Sequence, residues 1–228
     1  GEYPASGFLD AYDPETGERL WSFNTIPRPG EPGSETWPSD GDNIERGGGG
    51  TWMTGSYDPD LDLLYWGTGN PNPDYFDETR EGANLYTNSI VALDASTGTL
   101  AWHYQFTPHD VNDWDSNHVP VLADIMWEGE MRSVVMVANR NGFFYVLDRV
   151  TGELLLGKPF TDTTWAREIG PDGRPIILND GTLGCLPEPW GGTNFMPPSF
   201  NPALGLMFVT ARESCATYVP QEPVFDLG

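Results

Sequence analysis

The chain has 228 residues; Gly (27) and Pro (21) make up about a fifth of it, beside 9 Trp, 11 Phe and 9 Tyr. That composition excludes a helix bundle and a disordered tract, and it favours many short strands joined by turns around an aromatic-rich core. A formal net charge of −23, from 34 acidic against 11 basic side chains, excludes nucleic acid as a partner over most of the surface.

In chain order, the first predicted element is a hairpin. Phe8-Leu9-Asp10-Ala11-Tyr12 is an apolar strand, residues 13–17 form a turn, and Arg19-Leu20-Trp21 returns. The same phrase recurs at residues 90–102 and at 144–156. All three copies share an apolar strand, an Asp, a Thr-Gly turn and a second strand, which ends in Trp in the first two. The Asp can accept turn N–H groups, and the glycine supplies the positive φ that other residues resist. In the third copy Gly157 replaces the Trp, so its outer edge must pack differently.

Between these hairpins lie long insertions at 22–50 and 70–88, and a second repeated phrase. Tyr57-Asp58-Pro59 and Phe200-Asn201-Pro202 each start a turn that leads into an apolar strand, which reads as buried on both faces. Two further strands cover 134–138 and 142–147, joined across Asn139-Arg140-Asn141. No segment of ten or more residues carries a 3.6-residue apolar period. Hairpins recurring without helices predict an all-β chain with radial repetition, a β-propeller. At about 40–50 residues per blade the chain holds about four blades. It starts and stops inside repeats, which predicts a fragment of a larger propeller. No run of 18 apolar residues and no leader pattern is visible. Cys185 and Cys215 fit one disulfide in an oxidising compartment, with two separate thiols as the alternative.

Three segments carry candidate chemistry. Residues 109–118 place Asp110, Asp113 and Asp115 with His109 and His118. Asp113 and Asp115, at alternate positions of an extended segment, would point the same way and repel unless a cation lay between them. The competing reading is a solvated, Asp-rich turn. Gly47-Gly48-Gly49-Gly50-Thr51-Trp52 would let backbone approach a flat group and leave the indole face open. Trp66-Gly67-Thr68-Gly69-Asn70-Pro71 is a second Gly-rich loop.

The ordered set of Gly1-Glu2-Tyr3, Gly-Thr-Trp52, Gly-Thr-Gly-Asn70-Pro, Thr-Pro-His-Asp-Val-Asn-Asp113-Trp-Asp115, Asn139-Arg140-Asn141-Gly142 and Gly191-Gly192-Thr193-Asn194 resembles the pyrroloquinoline-quinone (PQQ)-dependent methanol/ethanol dehydrogenase family. The resemblance runs over essentially all 228 residues. It implies that residues 1–228 are a partial PQQ-binding domain, roughly half of an eight-bladed propeller, inactive by itself. It places Glu2, Asn70, Asp113 and Asp115 at metal-ligand positions and Trp52 at the indole stacked on the quinone. Glu2, Arg140 and Asn194 fall at cofactor-contact positions, Asp113 at the catalytic carboxylate, and Cys185 with Cys215 at a disulfide pair. Implied partners are a primary alcohol and a c-type cytochrome, in the periplasm, with a homodimer among the allowed assemblies. Asp115 resembles the lanthanide-dependent branch, where calcium enzymes carry a small uncharged residue. Asn112 and Ser116 depart from the family's usual aromatic and glycine, which is expected to reshape the alcohol pocket. The competing functions are a non-enzymatic propeller scaffold and a PQQ-dependent sugar dehydrogenase.

Overall fold

The computed structural model describes residues 5–39, 43–178 and 185–216. Fourteen strands cover Phe8–Tyr12 (β1), Arg19–Asn24 (β2), Ser56–Asp58 (β3), Leu63–Gly67 (β4), Ser89–Asp94 (β5), Leu100–Gln105 (β6), Val121–Trp127 (β7), Glu130–Ala138 (β8), Phe143–Asp148 (β9), Leu154–Pro159 (β10), Ala166–Ile169 (β11), Pro175–Ile177 (β12), Ser199–Asn201 (β13) and Leu206–Phe208 (β14). Helix among the described residues is limited to single turns at Ser34–Thr36 and Asn43–Arg46. None is long and apolar enough to cross a membrane.

β3-β4-β5-β6 and β7-β8-β9-β10 are complete four-stranded antiparallel blades. β1-β2 and β13-β14 pack as two-stranded layers on either side, and β11-β12 is a separate hairpin. The four expected blades are thus two complete and two partial ones.

Strand alternation explains the stacking. In β5, Ile90 and Ala92 face the second blade while Val91 and Leu93 face Leu9, Trp21 and Phe23 of the first hairpin. In β8, Val135 and Val137 join the inter-blade core, and Val134 and Met136 turn outward to Phe200 and Met207. A strand buried on both faces must be apolar at every position, which is why these runs lack polar alternation. Each buried aliphatic or aromatic side chain contributes on the order of 1.5–3 kcal/mol. β14 differs from the expectation of burial on both faces: Met207 packs on the second blade, while Leu206 and Phe208 alternate to the opposite face and are exposed, because no further layer covers that face among the described residues.

The Trp-ended hairpins lock one layer to the next. Trp21 donates its indole N–H to the Ala95 carbonyl at 2.9 Å, and Trp102 repeats this with the Arg149 carbonyl at 3.3 Å. Each indole lies flat against the turn glycine of the following copy. A Cβ on Gly98 or Gly152 would sit 2.6 Å from ring carbons of Trp21 or Trp102, and both glycines hold φ above +70°. The turn Asp residues act as expected: Asp13, Asp94 and Asp148 each accept N–H groups of their own turn at 2.8–3.0 Å. At Gly157 the missing Trp makes room for Ile169 of β11, whose side chain would lie 2.9 Å from a Cβ there.

Cys185 and Cys215 form the disulfide, with Cα atoms 4.8 Å apart across 30 residues. In the loop-entropy account such a closure is worth about 3–4 kcal/mol.

The three turn glycines separate backbone from packing effects. Gly17 has φ near +72° with nothing within 4 Å of a Cβ, whereas Gly152 has similar φ against Trp102. Denaturant unfolding of the full-length protein should show Gly17→Ala costing about 1 kcal/mol and Gly152→Ala about 2–4 kcal/mol. Equal costs would contradict the docking role of the indole.

Candidate functional site

Antiparallel pairing in sequence order sorts the loops by end. The starts of β3, β5, β7 and β9 and the ends of β4, β6, β8 and β10 share one end of the blades. The Asp-Thr-Gly turns occupy the other. Trp52, Asn70, Asp113, Asp115 and Arg140 therefore all fall on loops at a single mouth.

The loop after β6 is held by its own buried groups. Asp110 accepts the Asn112 N–H at 2.9 Å, the Trp114 N–H at 2.7 Å and the Asn88 amide at 3.0 Å. Burial pushes its carboxyl up, opposed by those backbone donors. Trp114 is 1% exposed, packs on Trp165 with ring centroids 5.0 Å apart, and donates to the Glu188 carbonyl. With Trp114 driven into the core, its neighbours Asp113 and Asp115 are turned to the mouth.

The expected extended geometry is corrected here. Asp113 has φ near +60°, so the two carboxylates do not alternate along a strand. They converge on Arg140, which lies between them, 2.9 Å from Asp115 Oδ2 and 3.7 Å from Asp113 Oδ2. Arg140 is 7% exposed and also donates to the Pro189 carbonyl at 2.6 Å. Asp115 further accepts the Trp52 indole N–H at 3.1 Å and the Asn70 backbone N–H at 2.9 Å. That approach requires Gly69, where a Cβ would sit 2.5 Å from Asp115 Oδ1.

The four consecutive glycines have a different use from the one expected. They form a backbone bridge: Gly48 pairs with Ser6 on one side and Pro71 on the other, and Gly49, Gly50 and Gly47 exchange backbone hydrogen bonds with residues 69–72. What approaches the glycines is the chain itself. Trp52 beyond them is 52% exposed, leaving its indole available as a platform.

The two imidazoles are not hydrogen-bonded to Asp113 or Asp115. His109 contacts the Gly82 carbonyl and Asp77 at 2.7 and 3.0 Å. His118 is buried with neither ring nitrogen hydrogen-bonded, and burial, then Arg140, pushes its pKa down to about 3. Asn194 is turned into its own segment, bonding the Trp190 carbonyl and the Phe195 N–H at 2.9 Å each. Ser116 is 1% exposed, and its hydroxyl accepts from Asn139 at 2.9 Å, so it faces the interior. Glu2 lies outside the described residues.

Residue spacing missed Asp74, Tyr75 and Arg80, and it named Asn141 within a motif without giving it a role. Asp74 accepts from the Asn70 amide at 2.8 Å. Tyr75 has its phenol pushed up by burial and then by Asp113. Asn141 ties the Arg140 turn to the Phe106 carbonyl, the Thr107 hydroxyl and Tyr145.

Among the described residues no three His, Cys, Asp or Glu side chains form a metal cage. The donor chemistry nevertheless fits a hard cation. Asn70, Asp74, Asp113 and Asp115 offer oxygens only. Burial, with repulsion from Asp115 and Asp74, pushes the Asp113 carboxyl up to about 8 against the attraction of Arg140. Burial, with Asp115 adding, raises Asp74 as well. A cation removes that cost. A planar acceptor also fits, because Arg140 Nε is a buried donor without a hydrogen-bond partner beside the open indole of Trp52.

Comparison with known proteins identifies the family of the chain. Residues 2–159 match the PQQ family described as glucose/ethanol/alcohol dehydrogenase, beta-propeller domain. Quinohemoprotein alcohol dehydrogenase ADH IIB of Pseudomonas putida is 40% identical over 95% of this chain and 34% of its own length. Lanthanide-dependent methanol dehydrogenase of Methylacidiphilum fumariolicum (strain SolV) is 35% identical over 100% of this chain and 41% of its own. The solved structure of a europium-containing methanol dehydrogenase superposes with a TM-score of 0.85 at 35% identity, covering 92% of this chain and 41% of that one. The chain spans about a third of the length of the first curated relatives it matches. It belongs to the PQQ-dependent glucose/ethanol/alcohol dehydrogenase β-propeller family.

Proposed function

We propose that the chain carries the reacting side of a periplasmic PQQ-dependent alcohol dehydrogenase, which oxidises a primary alcohol to an aldehyde and passes electrons to a c-type cytochrome. The observation that carries this reading is the Asp113–Arg140–Asp115 bridge beside the exposed indole of Trp52. A scaffold propeller has no use for a buried guanidinium held between two carboxylates at its mouth. The family includes glucose enzymes, and sugar oxidation is therefore one arm of the test.

When bound, the quinone and its cation supply a two-electron acceptor and a Lewis acid. The chain's own residues do the rest. Asp113, as carboxylate, accepts the alcohol O–H proton while hydride leaves the alcohol carbon. For that it must be ionised, and cation binding favours the ionised form of a carboxyl otherwise pushed up to about 8. Arg140 holds a fixed positive charge where negative charge develops, already positioned by the Pro189 carbonyl and Asp115. Trp52 provides a flat apolar face, with its N–H anchored to Asp115. Asp115 adds a negative ligand, which suits a trivalent lanthanide better than Ca²⁺. The acidic surface would steer a basic cytochrome face.

Dye-linked oxidation by PQQ-reconstituted full-length protein should be faster on primary alcohols with La³⁺ than with Ca²⁺. Equal or greater activity with Ca²⁺ contradicts the lanthanide assignment, and preference for glucose contradicts the alcohol assignment. Asp113→Asn should lower kcat by at least about 100-fold with quinone still bound; substantial turnover would remove Asp113 as base.

In the cation-free protein the fold binds the Asp113 proton more tightly than the unfolded chain, where Asp titrates at roughly 4. Its stabilising contribution is present below that range and is lost as pH rises towards about 8. Asp113→Asn should flatten this part of the Tm profile between those pH values. An unchanged slope would show that the carboxyl is not held neutral.

A further inference from the structure

The loop between β4 and β5 contains a carboxylate to which the proposed reaction assigns no role. Asn70 is fully buried, and both hydrogens of its side-chain amide are given to acceptors on its own loop. One goes to Asp74 Oδ1 at 2.8 Å and the other to the Pro71 carbonyl at 3.0 Å. An amide whose nitrogen is held this way has its oxygen turned to the opposite side. The backbone N–H of the same residue holds Asp115 at 2.9 Å, so the orientation of Asn70 is set within one residue of the carboxylate cluster.

The main chain at Asp74 is itself fixed by a buried bracket. Arg80 is 0% exposed and donates to the Pro73, Asp74 and Asp110 carbonyls at 2.9, 3.2 and 2.6 Å, with Asn84 Oδ1 at 3.1 Å. Its guanidinium joins the Asn70 loop to the base of the Asp113 loop. The main chain at Asp74 therefore keeps one position relative to both, its carboxylate is tied to the loop through the Asn70 amide, and its charge and those of Asp113 and Asp115 act on one another.

We propose that Asp74 is a positioning residue for the cation site: it turns the Asn70 amide oxygen to the site and adds a negative charge that favours a trivalent over a divalent ion. This rests on the functional reading above. Two effects are separable by substitution. Asp74→Asn keeps an acceptor for the Asn70 amide and removes the charge, while Asp74→Ala removes both. A pure charge effect scales with the charge on the ion, so the loss in log affinity should be about one and a half times larger for Eu³⁺ than for Ca²⁺. The orienting effect should add a similar further loss for both ions.

The test is titration of PQQ-bound full-length protein with Eu³⁺ by luminescence against a competing chelator, and with Ca²⁺ by calorimetry. Asp77→Asn serves as a control on the same loop, at an exposed carboxylate that pairs with His109. Asp74→Asn should weaken Eu³⁺ binding about 10–100-fold, as outer-shell partners of metal ligands do. Its Ca²⁺ affinity should fall less, Asp74→Ala should be weaker for both ions, and Asp77→Asn should match wild type. Wild-type affinity in Asp74→Asn and Asp74→Ala overturns the proposal. So does an equal loss in Asp77→Asn, which would mark general loosening of the loop. A wild-type protein that binds PQQ but no Eu³⁺ overturns the lanthanide reading together with this inference, whereas Eu³⁺ binding unaffected by Asp74 overturns this inference alone.

Discussion

Docking of a tryptophan on the next repeat's turn glycine is the constraint from which the geometry of this chain follows. Trp21 on Gly98 and Trp102 on Gly152 set the same relation between successive layers, each with an indole N–H bonded to a turn carbonyl. Non-directional apolar burial alone would let sheets slide over one another. The hydrogen bond and the fit against a residue without Cβ fix their offset. Fixing the turns at one end fixes the loops at the other, where residues from four different loops must meet within hydrogen-bonding distance.

At that mouth the chain uses burial to aim charge. Trp114 occupies the core between two aspartates, Asp110 closes the loop beneath them, and Arg80 ties that loop to the one bearing Asn70. Asp113 and Asp115 are left facing Arg140 in a site dry enough to raise the Asp113 carboxyl. The arrangement resembles a charge balance with one positive partner too few. It is stable as a protein loop with the guanidinium in place, and it is chemically ready for a cation.

The repeats were legible because their signals are local, and the disulfide because the cysteines are so few. An Asp-Thr-Gly turn between apolar strands has one backbone solution, and with two cysteines the choice lay only between one disulfide, which the structure shows, and two separate thiols. The convergence of Asp113 and Asp115 was also legible, though through a different route. Their spacing suggested an extended segment, whereas the buried Trp114 and the positive φ of Asp113 produce the result. The glycine run showed that something comes close to it, but not that this is the backbone of residues 5–7 and 69–72. Asp74 and Arg80 were illegible, and Asn141 was named within a motif but not given its role, since these roles depend on which loops face each other across the mouth. A carboxylate or guanidinium in a long polar insertion carries no sign of that.

The central claim is that Asn70, Asp113 and Asp115 surround one cation next to a quinone lying on Trp52. A crystal structure of the full-length protein grown with PQQ and La³⁺, with anomalous difference maps at the lanthanide, tests it most directly. One anomalous peak contacting oxygens of all three residues, with planar density over the Trp52 indole, is the predicted result. A peak elsewhere, or a cation at the mouth with Asp115 still bonded only to Arg140, Trp52 and the Asn70 backbone, would contradict the account.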